Sequence, residues 1–196
     1  MMRRLANILV VLAAIIVLYA MRQTKPHYDD LIGPIPAYGK MHETVHAREF
    51  DVTLDGVTFA HELTFTHYGE TKVLNTSGLW AIVTAQLAAT TDSTVISTFI
   101  WQGPTGLRYD LTRRGGLIPG QPPHALDPGI PKTVRLVFEI KPDQVNGATL
   151  LVSGKMQPAL DSEARIALDD FKKFNDGEPL TVDSVDLLRP LPASGS

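Results

Sequence analysis

The chain has 196 residues, 44% of them apolar, enough for one domain with a genuine core rather than a disordered polymer. Eighteen Lys and Arg against 21 Asp and Glu give a net charge of −3, which argues against a nucleic-acid partner, because phosphate binding needs a basic surface. There is no cysteine, so disulfides, thiolate zinc sites and thiol nucleophiles are excluded, and a domain outside the cytoplasm would rest on its core alone.

Residues 5–21 (LANILVVLAAIIVLYAM) carry one strongly polar side chain, Asn7. As a helix they rise about 26 Å, near the lower limit for crossing the hydrocarbon core of a bilayer. Arg3 and Arg4 favour a cytoplasmic N-terminus, and Arg22 and Lys25 beyond the run weaken that bias. A cleaved signal peptide competes with an anchor. Cleavage wants small residues one and three positions before the cut, and Leu18 sits where a small one is needed ahead of Ala20. The anchor is therefore the favoured reading, with residues 1–22 a cytoplasmic stub and transmembrane helix. Residues 23–47 hold Pro26, Gly33, Pro34, Pro36 and Gly39, which break a helix and disfavour a central strand. They read as a stiff linker.

Within that linker, residues 42–46 (HETVH) match the zinc-protease motif, in which two His at i and i+4 on one helix face hold the metal and the intervening Glu acts as base. The chemistry depends on a helix. Here Thr44 and Val45 are β-branched and the segment runs into a strand pattern, where His42 and His46 would stand about 13 Å apart, too far to share one ion. No metal and no cofactor is expected, and a zinc hydrolase on His42, Glu43 and His46 stays as an alternative.

From residue 48 the pattern has period two. Phe50, Val52 and Leu54 alternate with Asp51 and Thr53, and Asp55-Gly56 signals a turn. Val57, Phe59, Leu63 and Phe65 then share a face with His61 and His67, which strand spacing separates by about 20 Å. Residues 80–90 read as a strand buried on both faces. Residues 95–101 are β-branched and aromatic, and residues 107–111 resume after Gly103-Pro104. Residues 133–140 are the cleanest strand, with Val134, Leu136, Phe138 and Ile140 facing one way and Arg135 and Glu139 the other. Ala148, Leu150 and Val152 follow, then Ala164, Ile166 and Leu168. Seven or eight short strands without intervening helices predict a sandwich or barrel over residues 48–169.

Two segments stand out as partner-binding candidates. The long connection from Arg113-Arg114 to Pro131, with His124 inside it, is the kind of loop on which rigid sandwiches carry binding sites. The tail, residues 170–196, holds Phe171, Phe174, Leu187 and Leu188 among other large apolar residues that a solvated tail would not need. It either packs back, adds an edge strand or docks on a partner. No nucleophile elbow, phosphate loop or dinucleotide fingerprint is present.

Several short pieces recur in a characteristic order: FDVTL at 50–54, SGLW at 77–80 leading into AIVTA, a glycine and tyrosine at Gly106 and Tyr109, LDPG at 126–129, VFEI at 137–140 with Pro142 behind it, and LDS at 160–162. In this order the chain resembles the bacterial telokin-like, immunoglobulin-like domains over about 120 residues. It departs from them at Ala89-Thr90, where the strand after the tryptophan often ends in Asn. The resemblance implies an all-β, immunoglobulin-like antiparallel sandwich of about seven strands behind one N-terminal helix. It also implies placement outside the cytoplasm, and no enzymatic activity or catalytic residues. The expectation is a non-enzymatic, single-pass module of a bacterial cytoplasmic membrane with its domain in the periplasm and a protein partner in the envelope. The alternatives are the zinc hydrolase and a sandwich that binds a small molecule or lipid in its core or at residues 113–131.

Overall fold

The structure is a computed structural model and describes residues 2–24, 32–114, 116, 118, 120–156, 158–168, 171 and 179–189. It divides into two units, Met1–Gly33 and Pro34–Ser196.

The first unit contains the helix α1 (Met2–Gln23), which has neither glycine nor proline. The Thr24 hydroxyl closes its end on the carbonyls of Ala20 and Met21. Its window Ala6–Gln23 has a mean hydropathy of 1.9 and the length and composition of a membrane span or of a signal sequence.

The second unit holds twelve strands among the described residues: β1 (Ile35–Lys40), β2 (Thr44–His46), β3 (Phe50–His67), β4 (Glu70–Ala89), β5 (Thr94–Ile96), β6 (Thr98–Gln102), β7 (Arg108–Asp110), β8 (His124–Leu126), β9 (Lys132–Ile140), β10 (Thr149–Ser153), β11 (Ser162–Ala167) and β12 (Thr181–Asp186). One sheet runs β1-β11-β10-β6-β7, the other β12-β3-β4-β9 with β2 also paired to β3, and β5 and β8 form a separate ribbon. Pairing is antiparallel except at two edges, where β1 lies parallel to β11 and β12 parallel to β3.

The period-two faces come together between the sheets. Phe50, Val52, Leu54 and Phe59 of β3, with Ala81, Val83 and Leu87 of β4, meet Phe99, Trp101, Leu150, Val152 and Ile166 of the facing sheet. Phe59 and Phe138 both pack on Trp101, at centroid distances of 6.2 and 6.1 Å, and the Trp101 indole N–H donates to the Gln144 carbonyl. At one end Arg48, just before β3, donates to Asp161, which leads into β11, and so fastens the two sheets at their margin.

A second apolar cluster lies on the other face of β4. Trp80, Ile82 and Val137 pack with Ala60, Leu63 and Phe65 under Ile118, Val185 and Leu187. Of residues 80–90, read from the sequence as buried on both faces, only Trp80–Val83 are so; beyond them Thr84 and Ala88 are half-buried and Gln86 and Thr90 are exposed, while Ala85, Leu87 and Ala89 face the core. Arg135 of β9 holds the tail over this cluster by donating to the carbonyls of Leu187 and Arg189.

Three further expectations are corrected, and one left open is decided. Residues 34–47 are not linker. They supply β1 and β2, with Met41 and Val45 buried in the main core. Pro36 is accommodated because β1 is an edge strand, where a missing N–H costs no ladder bond. Asp55-Gly56 makes no turn: β3 runs through it, and the register to β4 slips between Leu54 and Gly56 as a bulge. A second slip, between Ala60 and Glu62, leaves His61 exposed and splits the face read as one, with Val57 and Phe59 in the main core and Leu63 and Phe65 in the second cluster. The tail forms β12, the edge-strand outcome among its three readings.

Truncating Phe59 removes the ring shared by Trp101 and Phe171. Phe59→Ala is expected to cost about 3–5 kcal/mol, read as a lower denaturation midpoint with unchanged slope by near-UV circular dichroism of the full chain in detergent; a loss below about 1 kcal/mol would show that the aromatic cluster does not hold the sheets.

Candidate functional site

The candidate site is built on the loop between β7 and β8. β7 pairs with β6 only from Ile100 to Gln102. The chain then leaves that sheet: Leu111 bridges to Phe138 of β9 and the Thr112 N–H donates to the Val137 carbonyl. The loop crosses from one sheet to the other and returns at β8, which pairs with β5.

Three contacts pin it. Arg114 forms an ion pair with Glu139 of β9, donates to the Asn75 carbonyl at 2.9 Å, and stands over the Trp80 ring at 5.4 Å. Ile118 enters the second cluster. The Gln121 amide nitrogen donates to the Arg135 carbonyl at 3.1 Å. The adjacent arginines therefore differ in kind: Arg114 is engaged within the domain, whereas Arg113 lines a cleft.

That cleft, of about 690 Å³, lies between the loop and the start of β6. Phe99, Leu111, Ile118 and Pro122 give it apolar walls, and Asp110, Arg113 and Gln121 contribute its polar groups. On the other side of the loop is a cleft of about 550 Å³, bounded by Gln121, His124, Lys132, Arg135 and Leu187. His124 is only 3% exposed, stacks edge-on to Phe99, and leaves its Nε2 without a hydrogen-bond partner; Gln121 Oε1 is likewise buried and unpartnered. Burial, followed by the nearby Lys132 cation, holds the His124 imidazole below its ordinary value of 6.5.

The other residues singled out in the sequence fall elsewhere. Phe171 packs edge-on to Phe59 at 5.1 Å and Leu187 is 8% exposed in the second cluster, so both belong to the domain's own packing rather than to a free docking face. Leu188 is 58% exposed, and Phe174 lies outside the described residues. The zinc reading fails on geometry: His42 takes a left-handed turn conformation (φ 65°) and His46 lies on β2, its Nδ1 2.8 Å from Asp51 Oδ1, so no helix carries the pair. Val45, buried against the main core, is what holds this segment extended. Among the described residues no group of three His, Cys, Asp or Glu side chains is placed to hold a metal. Gln121 and Lys132 gave no signal in the sequence. His124 stood out only as part of a long loop.

Two outcomes follow. An unfolded chain takes up the His124 proton near pH 6.5, while the folded one resists it, so the stability His124 contributes is present above that pH and is lost as the pH falls through it toward the folded value. His124→Leu removes an unpaired buried nitrogen and is expected to leave stability at neutral pH equal or higher, with a flatter decline between about pH 6.5 and 5 in thermal melts; a variant that melts lower at neutral pH and declines as steeply would contradict this. Arg114→Ala frees the loop, expected as at least about tenfold faster amide exchange at residues 112–122 with exchange in β10 unchanged.

No family model matches the chain, and no curated protein matches it. Its fold is similar to that of an uncharacterized β-sandwich protein from Clostridium difficile 630 at 11% identity and a TM-score of 0.44, covering 73% of this chain and 99% of that one. It is similar to the yjhA protein of Bacillus subtilis at 16% identity and a TM-score of 0.49, covering 67% and 99%. A third likeness is to the secreted protein MPT63 of Mycobacterium tuberculosis at 13% identity and a TM-score of 0.48, covering 69% and 98%. The chain's own two facing sheets make it a β-sandwich, and one apolar helix lies N-terminal to it in the sequence.

Proposed function

We propose that this chain is a non-enzymatic interaction module of a bacterial cell envelope, anchored in the cytoplasmic membrane by α1, and that its domain outside the cytoplasm binds a protein partner in the larger cleft. The observation that carries the reading is an open strand edge. Thr98 and Phe99 of β6 border the cleft, and among the described residues no strand pairs with them on that side. An extended segment laid there adds main-chain hydrogen bonds to β6, places its side chains against Phe99, Leu111 and Pro122, and meets charge of either sign at Asp110 and Arg113. The resemblance of its motif order to telokin-like domains supports placement outside the cytoplasm, and Arg3 and Arg4 before the apolar run support a cytoplasmic N-terminus. Anchoring confines the domain to the membrane surface and raises its effective concentration toward partners held there.

Site-specific photo-cross-linking in native membranes tests this. A photoreactive residue at Arg113 or Met156, both lining the cleft, is expected to give a discrete protein adduct, and one at exposed Tyr38 on β1 to give none. Adducts absent from both cleft positions, or formed only from position 38, sink the reading.

A further inference from the structure

The turn that leads into β10 carries an inference of a different kind. Asn146 is the one asparagine of the chain that glycine follows; Asn7 precedes Ile8, Asn75 precedes Thr76 and Asn175 precedes Asp176. The difference is chemical. The main-chain nitrogen of the next residue can attack the amide carbon of an asparagine side chain, and a side chain on that next residue obstructs the approach. Glycine has no side chain and the widest choice of backbone angles.

The structure leaves the attacking group free. Behind the 3-10 turn Pro142–Gln144, residues 145–148 form a turn closed by the Ala148 N–H on the Val145 carbonyl at 3.3 Å, beyond the usual range for such a bond. Gly147 is exposed at φ 75°, and among the described residues no main-chain carbonyl accepts its N–H. The space beside it is open, since a side chain there would meet only Pro104, at 3.8 Å. The flanks are the opposite. Val145 and Ala148 are buried in the main core, and the Gln144 carbonyl accepts the Trp101 indole N–H at 2.9 Å. A reactive pair thus sits between two fixed points of the core.

We propose that Asn146 is a site of spontaneous deamidation, and that its conversion loosens this end of the main core. The Gly147 nitrogen bonds to Asn146 Cγ and loses its proton, and the side-chain nitrogen leaves as ammonia, closing a cyclic imide. Water then opens the ring. Breaking the new bond between Cγ and nitrogen gives aspartate. Breaking the original main-chain bond gives isoaspartate, in which the chain runs on through Cβ and Cγ. No electron donor or acceptor is needed. Each product fits worse than asparagine. Asn146 Oδ1 is buried, so a carboxylate in its place loses hydration. Isoaspartate adds a carbon to the main chain between Val145 and Ala148, whose side chains are both held in the core.

The test is timed incubation of the full chain in detergent, in warm and mildly alkaline buffer, with aspartate and isoaspartate located by peptide mass spectrometry. Conversion at position 146 is expected to run at least about tenfold faster than at Asn75. This comparison within one chain needs no variant, and equal or slower conversion at 146 overturns the proposal. Thermal melts of the same samples read the consequence. The midpoint of the natural chain is expected to fall in step with conversion at 146. Asn146→Ser, which has no amide to lose, is expected to keep its midpoint over the same incubation, and Asn146→Asp to melt below the natural chain when freshly made. A midpoint that holds while position 146 converts, or an Asn146→Ser chain that declines as fast as the natural one, overturns the link between the modification and the core.

Discussion

Two strands of this domain far outrun what faces them. β3 has 18 residues and β4 has 20, whereas no strand of the opposite sheet has more than six. An 18-residue strand reaches about 60 Å and a six-residue one about 20 Å. The facing sheet can cover only part of the long hairpin, and the remainder must bury its apolar side chains elsewhere. The slip at His61 resolves the mismatch. On one side of it Phe59 belongs to the inter-sheet core; on the other Leu63 and Phe65 belong to a cluster on the opposite face. Among the described residues no second sheet covers that cluster. β12 widens its face beside β3, with Val185 paired to Leu63, and Leu187 and Ile118 of the β7–β8 loop pack with it.

The loop thus has a structural task and borders the sites at once. Arg114 and Ile118 supply the attachment, through Glu139, the Asn75 carbonyl, the Trp80 ring and the second cluster. The two clefts lie on either side of the loop's described residues. Gln121 and His124 sit where the loop meets β9 and β8.

The sandwich was legible because its strands are half buried and alternate. Val134, Leu136, Phe138 and Ile140, and later Ala164, Ile166 and Leu168, show their inward face in period two alone. β1 was hidden by Pro34, Pro36 and Gly39, which mark a linker unless the strand is an edge, and edge position is a property of the whole sheet. The bulges at Asp55 and His61 were hidden for a related reason: a bulge is a relation between two strands, and Asp-Gly reads equally as a turn. Arg113 and Arg114 were identified as a pair, but only the strand register separates the one facing a cleft from the one clamped to Glu139. The smaller cleft was beyond sequence reading, because Gln121, His124 and Lys132 converge only once β8 and β9 are in place.

The two parallel edges also set an order of assembly. Ile35 at the start of β1 pairs with Ser162, and Phe59 of β3 pairs with Thr181. β1 therefore finds its strand partner only in β11, made much later, and β3 gains its outer neighbour β12 later still. Such long-range closure is slow, since the loop entropy is lost before any contact repays it. While the chain is still emerging, the hairpin of β3 and β4 can form locally, but Leu63 and Phe65 lack Val185 and Leu187 over them. The growing chain exposes an apolar sheet face until β12 and Leu187 have been made, and that interval is when it is most open to misassociation or to a chaperone's grip.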